Sequence, residues 1–305
     1  MSVFTPLTPA QIQPWLKAQG ITELINMRGI AAGTVNTNYW LTTNVGEWIL
    51  TLVEDRPAAA VTPVMELMAA LADAGLKVPG VQRSLNGDVV TELANKPATL
   101  VTALPGRQPD IDQDSCAQMG AFLGQLHQQC LDIAPIPMNF GPAWQADRMA
   151  HWRQRLPSEK TQHLDISWAR IQPLWQQELP MAWTHGDLFP DNALYADGQL
   201  STVIDWYFAS WAPCLWDLAV AVNAWCGARA EHDPLVVAVL SGYGQQRALT
   251  AAEQAAFPRM REAAALRFWL SRLDAAALAQ QSSEITVKSP DEQENMLLDL
   301  QHLHG

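Results

Sequence analysis

Positive charge is scarce in this sequence, and charge of either sign is thin. Its 305 residues hold 19 Lys and Arg against 31 Asp and Glu, a formal net charge of -12, and charged residues make up only 16% of the chain. Binding a nucleic acid requires a basic face that displaces counterions, so a nucleic-acid partner is excluded on this balance. Long hydrophobic runs are missing as well: Leu215–Ala224 is typical, and far too short to span a bilayer. The opening MSVFTPLTPAQIQPW has no basic stretch leading into an apolar one, so no secretory signal and no membrane anchor are expected. The four cysteines, Cys116, Cys130, Cys214 and Cys226, form no CxxC pair and have no histidine at zinc-ligand spacing. They read as reduced, core-filling thiols, which points to a cytoplasmic protein. Nor is there a GxxxxGK[ST] phosphate loop.

Apolar side chains are plentiful, at 49%. That is enough to fill the interior of a large domain or of two lobes, and it argues against disorder. Thr8-Pro9 before QIQPWLKAQG reads as a helix start, closed by Gly20. Short strand-like runs follow at Leu24–Ile30, Asn38–Thr43 and Trp48–Val53, with Gly33 and Gly46 marking turns. A helix over Pro63–Ala74 precedes strands at Val89–Leu93 and Ala98–Leu104. From Gln113 onward the period changes: Met119, Leu123, Leu126 and Cys130 fall on one helical face, and helical patterns dominate through Leu303. The exceptions are short strands around Ala182–Tyr195 and Leu200–Asp205, joined at Asp197-Gly198. Ser282–Asp291 is polar enough to be a loop. The expected fold is α+β and bilobal, with a small, mainly antiparallel β lobe over residues 1–104 and a larger, mainly α lobe over residues 105–305.

The chemistry concentrates in Trp183-Thr-His-Gly-Asp-Leu-Phe-Pro-Asp-Asn192. A short apolar strand delivers His185 and Asp187, Asn192 follows, and a second apolar strand delivers Asp205. Phosphoryl transfer needs this set: one carboxylate to orient the attacking hydroxyl and take its proton, and an amide oxygen and a second carboxylate to hold a metal against the phosphates. Each residue alone would read as a loop or strand-end cap, but HxDxxxxN followed by an apolar strand ending in Asp is far more specific. His185 reads as structural, donating a hydrogen bond that fixes the loop, because the transfer requires no second base.

With these residues in view the sequence resembles the aminoglycoside phosphotransferase and choline kinase superfamily of protein-kinase-like enzymes. Within it the text is most similar to the homoserine kinases. The likeness runs through SVFTPLT, GIAAGTVNTNYWLTT, WILTLVED, ATLVTALPG, HGDLFPDNALY, LSTVIDWYFASWAPCLWDLAVAVNAWC and LRFWLSRL, nearly the whole chain. The resemblance implies ATP and Mg2+, with Asp187 catalytic and Asn192 and Asp205 as metal ligands. It also implies a nucleotide-covering segment over Ala31–Asn38, in which Gly33, Thr34, Asn36 and Asn38 face phosphates, and a hinge at Thr102–Leu104 whose backbone meets adenine. One departure stands out. Thr51 in WILTLVED occupies the position where such kinases carry a phosphate-pairing lysine. Lys96, at the start of the strand leading to the hinge, reads as a solvated strand end.

A zwitterionic acceptor such as L-homoserine needs partners for its carboxylate and ammonium. Asp217 and Asn223, on the apolar helix after Asp205, are candidate substrate ligands, as are Arg267 and Arg272 in LRFWLSRL. The two arginines stand about 140° apart around a helix, so they do not form one clamp. Thirteen tryptophans raise the option of an aromatic cage for a quaternary ammonium, but they are scattered, and only Trp206 and Trp211 follow Asp205 closely. The rival readings are a kinase of the same fold acting on an aminoglycoside, choline, ethanolamine or a sugar, and a nucleotide-binding module without transferase activity. The oligomeric state has no signature in the sequence.

Overall fold

The computed structural model of the protein describes residues 5–30, 36–279 and 288–304. Gly33 and Thr34 lie outside them, as does most of the polar segment expected at Ser282–Asp291. The chain forms two compact units: Met1–Arg107 with Cys130–Ile136 and Leu194–Tyr207, and Gln108–Gln129 with Pro137–Ala193 and Phe208–Gly305.

The first unit opens with α1 (Pro9–Ala18). Pro9 suits the first helical position, where no amide bond is lost, and the Gln11 side chain accepts from the amide of Thr8 at 2.9 Å. Strands β1 (Leu24–Gly29), β2 (Thr37–Thr43) and β3 (Gly46–Leu52) follow. Next come α2 (Ala58–Asp73), β4 (Thr91–Leu93) and β5 (Lys96–Thr102). The five strands make one antiparallel sheet in the order β1-β2-β3-β5-β4. Strict alternation along β2, with Tyr39 and Leu41 inward, turns one face of the sheet onto α1. Ile12, Trp15 and Leu16 of α1 pack there with Leu50, Leu52 and Leu100. Helix α2 begins five residues before the expected start at Pro63, because three alanines after Pro57 make a first turn that tolerates an internal proline.

The second unit is mainly helical. It contains α3 (Gln113–Leu126), α4 (Pro142–Arg153) and α5 (Ser158–Ile171), then the short strand β6 (Met181–Thr184). Strands β7 (Ala193–Ala196) and β8 (Gln199–Val203) pair with each other, and all but the first residue of that hairpin belongs to the first unit. The chain continues through β9 (Ser210–Pro213), which pairs antiparallel with β6. Helices α6 (Cys214–Cys226), α7 (Pro234–Gln246), α8 (Ala251–Ala279) and α9 (Pro290–Leu303) complete it. Helix α6 is buried along nearly its whole length, as its unbroken apolar run requires. Helix α8 starts on a reciprocal cap: Glu253 accepts from the amide of Thr250 at 2.9 Å, and the Thr250 hydroxyl accepts from the amide of Glu253 at 3.2 Å.

Candidate active site

In the second unit, β6 and β9 lie side by side and β6 runs into the loop His185–Asn192. The loop's conformation is set by a buried carboxylate. Both oxygens of Asp217, on the first turn of α6, accept backbone amides, from His185 at 2.7 Å and from Gly186 at 2.8 Å. Gly186 has φ +76°, and a Cβ there would stand 2.7 Å from the carbonyl oxygen of Phe208, so only glycine fits. Fully buried Leu188 anchors the next turn, and its carbonyl accepts from the Trp225 indole at 3.1 Å. The Nδ1 of buried His185 accepts from the amide of Asp187 at 3.2 Å, so at this nitrogen the ring accepts rather than donates. The Asn192 amide nitrogen donates to the Asp187 carbonyl at 2.8 Å. That leaves Asn192 Oδ1 as the outward oxygen, the donor type a hard cation takes.

Asp217 was expected to meet the acceptor; the structure places it behind the loop. The carboxylate is fully buried, both of its oxygens are engaged by the loop, and His127 Nε2 lies 3.3 Å from Oδ2. The network continues inward: His127 Nδ1 is 2.8 Å from the Tyr243 hydroxyl, which accepts from Arg247 at 2.9 Å, and Arg247 pairs with Glu253 at 2.9 Å. Burial alone would raise the Asp217 carboxyl. The hydrogen bond and charge of His127, with the His185 amide, outweigh it and hold the carboxyl below the ordinary aspartate range. Asn223 is likewise engaged within the fold. Its amide is used at both ends by Arg261, donating to the Arg261 carbonyl at 2.8 Å and accepting from Arg261 Nε at 2.9 Å. Arg272 pairs with Glu292 at 2.6 Å and donates to the Ser289 carbonyl, so it ties α8 to α9 and is not offered to a ligand.

Arg267 is placed differently. It is 3% exposed, its guanidinium lies 3.9 Å from the Phe268 ring, 4.2 Å from Phe140 and 5.4 Å from Phe208, and its Nη1 is 3.8 Å from Asp187 Oδ1. Its Nε is buried with no hydrogen-bond partner among the described residues. Burial pushes this guanidinium down to about 10 against the pull of Asp187, which still leaves it charged at neutral pH. A buried donor without a partner carries a desolvation cost that a further hydrogen bond would relieve. Phe140, which caps it from the turn before α4, had no signal in the sequence, since its pairing with α8 spans more than a hundred residues.

In the first unit, Asp205 follows β8 with φ +65°, a left-handed backbone that a non-glycine residue adopts only under constraint. The Trp206 indole donates to the Val203 carbonyl at 2.9 Å, and the Val203 amide donates to the Lys77 carbonyl at 2.8 Å, which fixes the segment. Trp206 is buried, and in the second unit Trp211 packs edge-to-face on Trp183, so both are packing residues. Asn36 Oδ1 accepts from the amide of Glu54 at 3.3 Å, and Asn38 Oδ1 accepts from the Thr51 hydroxyl at 2.7 Å. At the expected hinge, the amide of Thr102 is used on the Gly80 carbonyl and that of Ala103 on the Glu47 carbonyl, while Leu104 is half-buried.

Residues 26–263 match the sequence model of the phosphotransferase enzyme family. The architecture agrees: an amicoumacin kinase solved with AMP-PNP, Ca2+ and Ami superposes with a TM-score of 0.69 at 17% identity, covering 97% of this chain and 93% of its own. Fold and family together define an ATP-dependent phosphotransferase of protein-kinase-like architecture, an enzyme that phosphorylates a small-molecule hydroxyl. The homoserine kinase of Methylobacillus flagellatus is 36% identical over 294 residues, covering 95% of this chain and 92% of its own. That of Pseudomonas aeruginosa is 36% identical over 311 residues, covering 99% and 98%. The chain belongs to the homoserine kinase family.

Proposed function

We propose that the protein transfers the γ-phosphoryl group of ATP to the side-chain hydroxyl of L-homoserine, giving O-phospho-L-homoserine and ADP, a step of threonine biosynthesis. The observation that carries this acceptor is Arg267, a buried cation with an unused donor 3.8 Å from Asp187. An acceptor that carries a carboxylate gives that donor a charge-assisted partner, whereas choline, ethanolamine or an aminoglycoside brings no anionic group. Asp187 accepts a hydrogen bond from the acceptor hydroxyl and takes its proton as the oxygen bonds to phosphorus and the bond to the ADP oxygen breaks. Its loop is held to α6 by the two amides on Asp217, so the carboxylate is oriented before the acceptor arrives. Asn192 Oδ1 and the Asp205 carboxylate are hard oxygen donors and would hold magnesium, which when bound neutralises phosphate charge. Asn36, Asn38, Gly33 and Thr34 would face the phosphates. Adenine would meet the backbone at Leu104, since the Thr102 amide is already engaged.

The test compares L-homoserine with 3-amino-1-propanol, which keeps an amine and a hydroxyl but lacks the carboxylate, in the wild type and in Arg267→Leu. The wild type prefers homoserine strongly. The variant loses about 2–5 kcal/mol of that preference and retains ATP binding. A preference that survives in Arg267→Leu overturns the assignment of the carboxylate to this arginine.

A further inference from the structure

The position where a phosphate-pairing lysine is expected is filled by neutral groups. Thr51 and Thr99 face each other across β3 and β5, and the hydroxyl of Tyr207 is hydrogen-bonded to both. Thr51 also donates to Asn38, so its hydroxyl is engaged within the sheet. Lys96 is not the replacement. Its ammonium lies 2.7 Å from Glu54, and the same carboxylate accepts from the hydroxyls of Thr5 and Thr37. That charge is neutralised within the sheet.

Arg56 is held differently. Its Nη1 donates to the carbonyl of Tyr207 at 3.2 Å, and its guanidinium lies 5.8 Å from the Tyr207 ring. Its side chain is 29% exposed, and its ion partner is the neighbouring Asp55, at 3.3 Å and more exposed still. Two chain segments converge on it. Two residues upstream, Glu54 is bonded through its amide to Asn36, the end of the nucleotide-covering segment. Tyr207, which it grips, comes two residues after Asp205. A guanidinium held at Nη1 by a carbonyl and at Nε by an exposed carboxylate, and itself partly exposed, is preorganised for an oxyanion.

We propose that Arg56 supplies the nucleotide's phosphates with the positive charge that Thr51 does not. This rests on reading the first unit as the nucleotide-binding unit. The test is calorimetric binding of adenosine and ADP, without turnover, to the wild type, Arg56→Gln, Arg56→Lys and Lys96→Gln. Arg56→Gln should weaken ADP by about 10- to 100-fold and leave adenosine unchanged, because only the phosphates lose a charge-assisted contact. Arg56→Lys should recover part of the loss, and Lys96→Gln should bind ADP as the wild type does. The proposal is overturned if Arg56→Gln binds ADP normally, if it loses ADP and adenosine together, or if the loss appears in Lys96→Gln. A wild type that binds neither ligand would overturn the nucleotide reading itself.

Discussion

At the scale of single residues, the chemistry rests on groups whose neighbours are close in sequence, and those were legible. The spacing of Asp187 and Asn192 is local, and the amide of Asn192 does bond back to the Asp187 carbonyl. Asp217 was legible as a residue of interest, but its place behind the loop was not. The amides it accepts lie 31 and 32 residues away, and no pattern announces that pairing. Arg267 stood out as one of two cations on the right helix. What separates it from Arg272 is its enclosure by Phe140, Phe208 and Phe268, which only the packed chain supplies. One prediction belongs here. If Asn192 and Asp205 act through the metal, replacing either with alanine should raise the magnesium concentration needed for half-maximal rate, since a hard cation loses one of few protein oxygens. A magnesium titration unaltered in both variants would remove them from the metal site.

At the scale of elements, most helices and strands could be read from period and punctuation. β9 could not, because four residues, Ser-Trp-Ala-Pro, carry too little alternation, and the strand exists through its pairing with β6. The packing of α3 on α7 was also invisible, although its cause is written in glycines. A Cβ on Gly120 would meet the Val239 carbonyl oxygen at 2.1 Å, and one on Gly242 would meet the Ala117 carbonyl oxygen at 2.0 Å. The two backbones therefore touch, which brings His127 at the end of α3 onto Tyr243 of α7 and into the network behind the loop His185–Asn192. Gly242→Ala should destabilise the protein by about 1–3 kcal/mol, because backbone cannot yield as a side chain can. Gly244, on the same helix with open space around its Cα, should gain about 0.5–1 kcal/mol on changing to alanine. Urea unfolding of the two variants checks the contrast, and equal effects would contradict the close packing.

At the scale of the whole molecule, a β-rich N-terminal region and a helical C-terminal region were legible from the change of period near Gln113. The assignment of Leu194–Tyr207 to the first unit was not, since it depends on contacts such as that between Val203 and Lys77. Global stability should carry the mark of the buried Asp217. Its folded carboxyl lies below the unfolded value of about 3.9, so its contribution is full above that pH and is lost as pH falls through the folded value. Asp217→Asn should be less stable at neutral pH by about 3 kcal/mol and should show a shallower loss below pH ~4. Denaturant midpoints measured across acidic pH test this, and an acid profile of unchanged slope would contradict it.

The central claim is a phosphoryl transfer to homoserine that passes its proton to Asp187. The most direct measurement is phosphorus NMR of reactions containing ATP, magnesium and one acceptor each: L-homoserine, ethanolamine, choline or kanamycin. The account predicts a phosphomonoester from homoserine in equal amount with ADP. In Asp187→Asn, folded and still binding ATP, that signal should form about 10²–10⁴-fold more slowly. A protein that phosphorylates one of the other acceptors and leaves homoserine untouched, or an Asp187→Asn variant that turns over like the wild type, would contradict it.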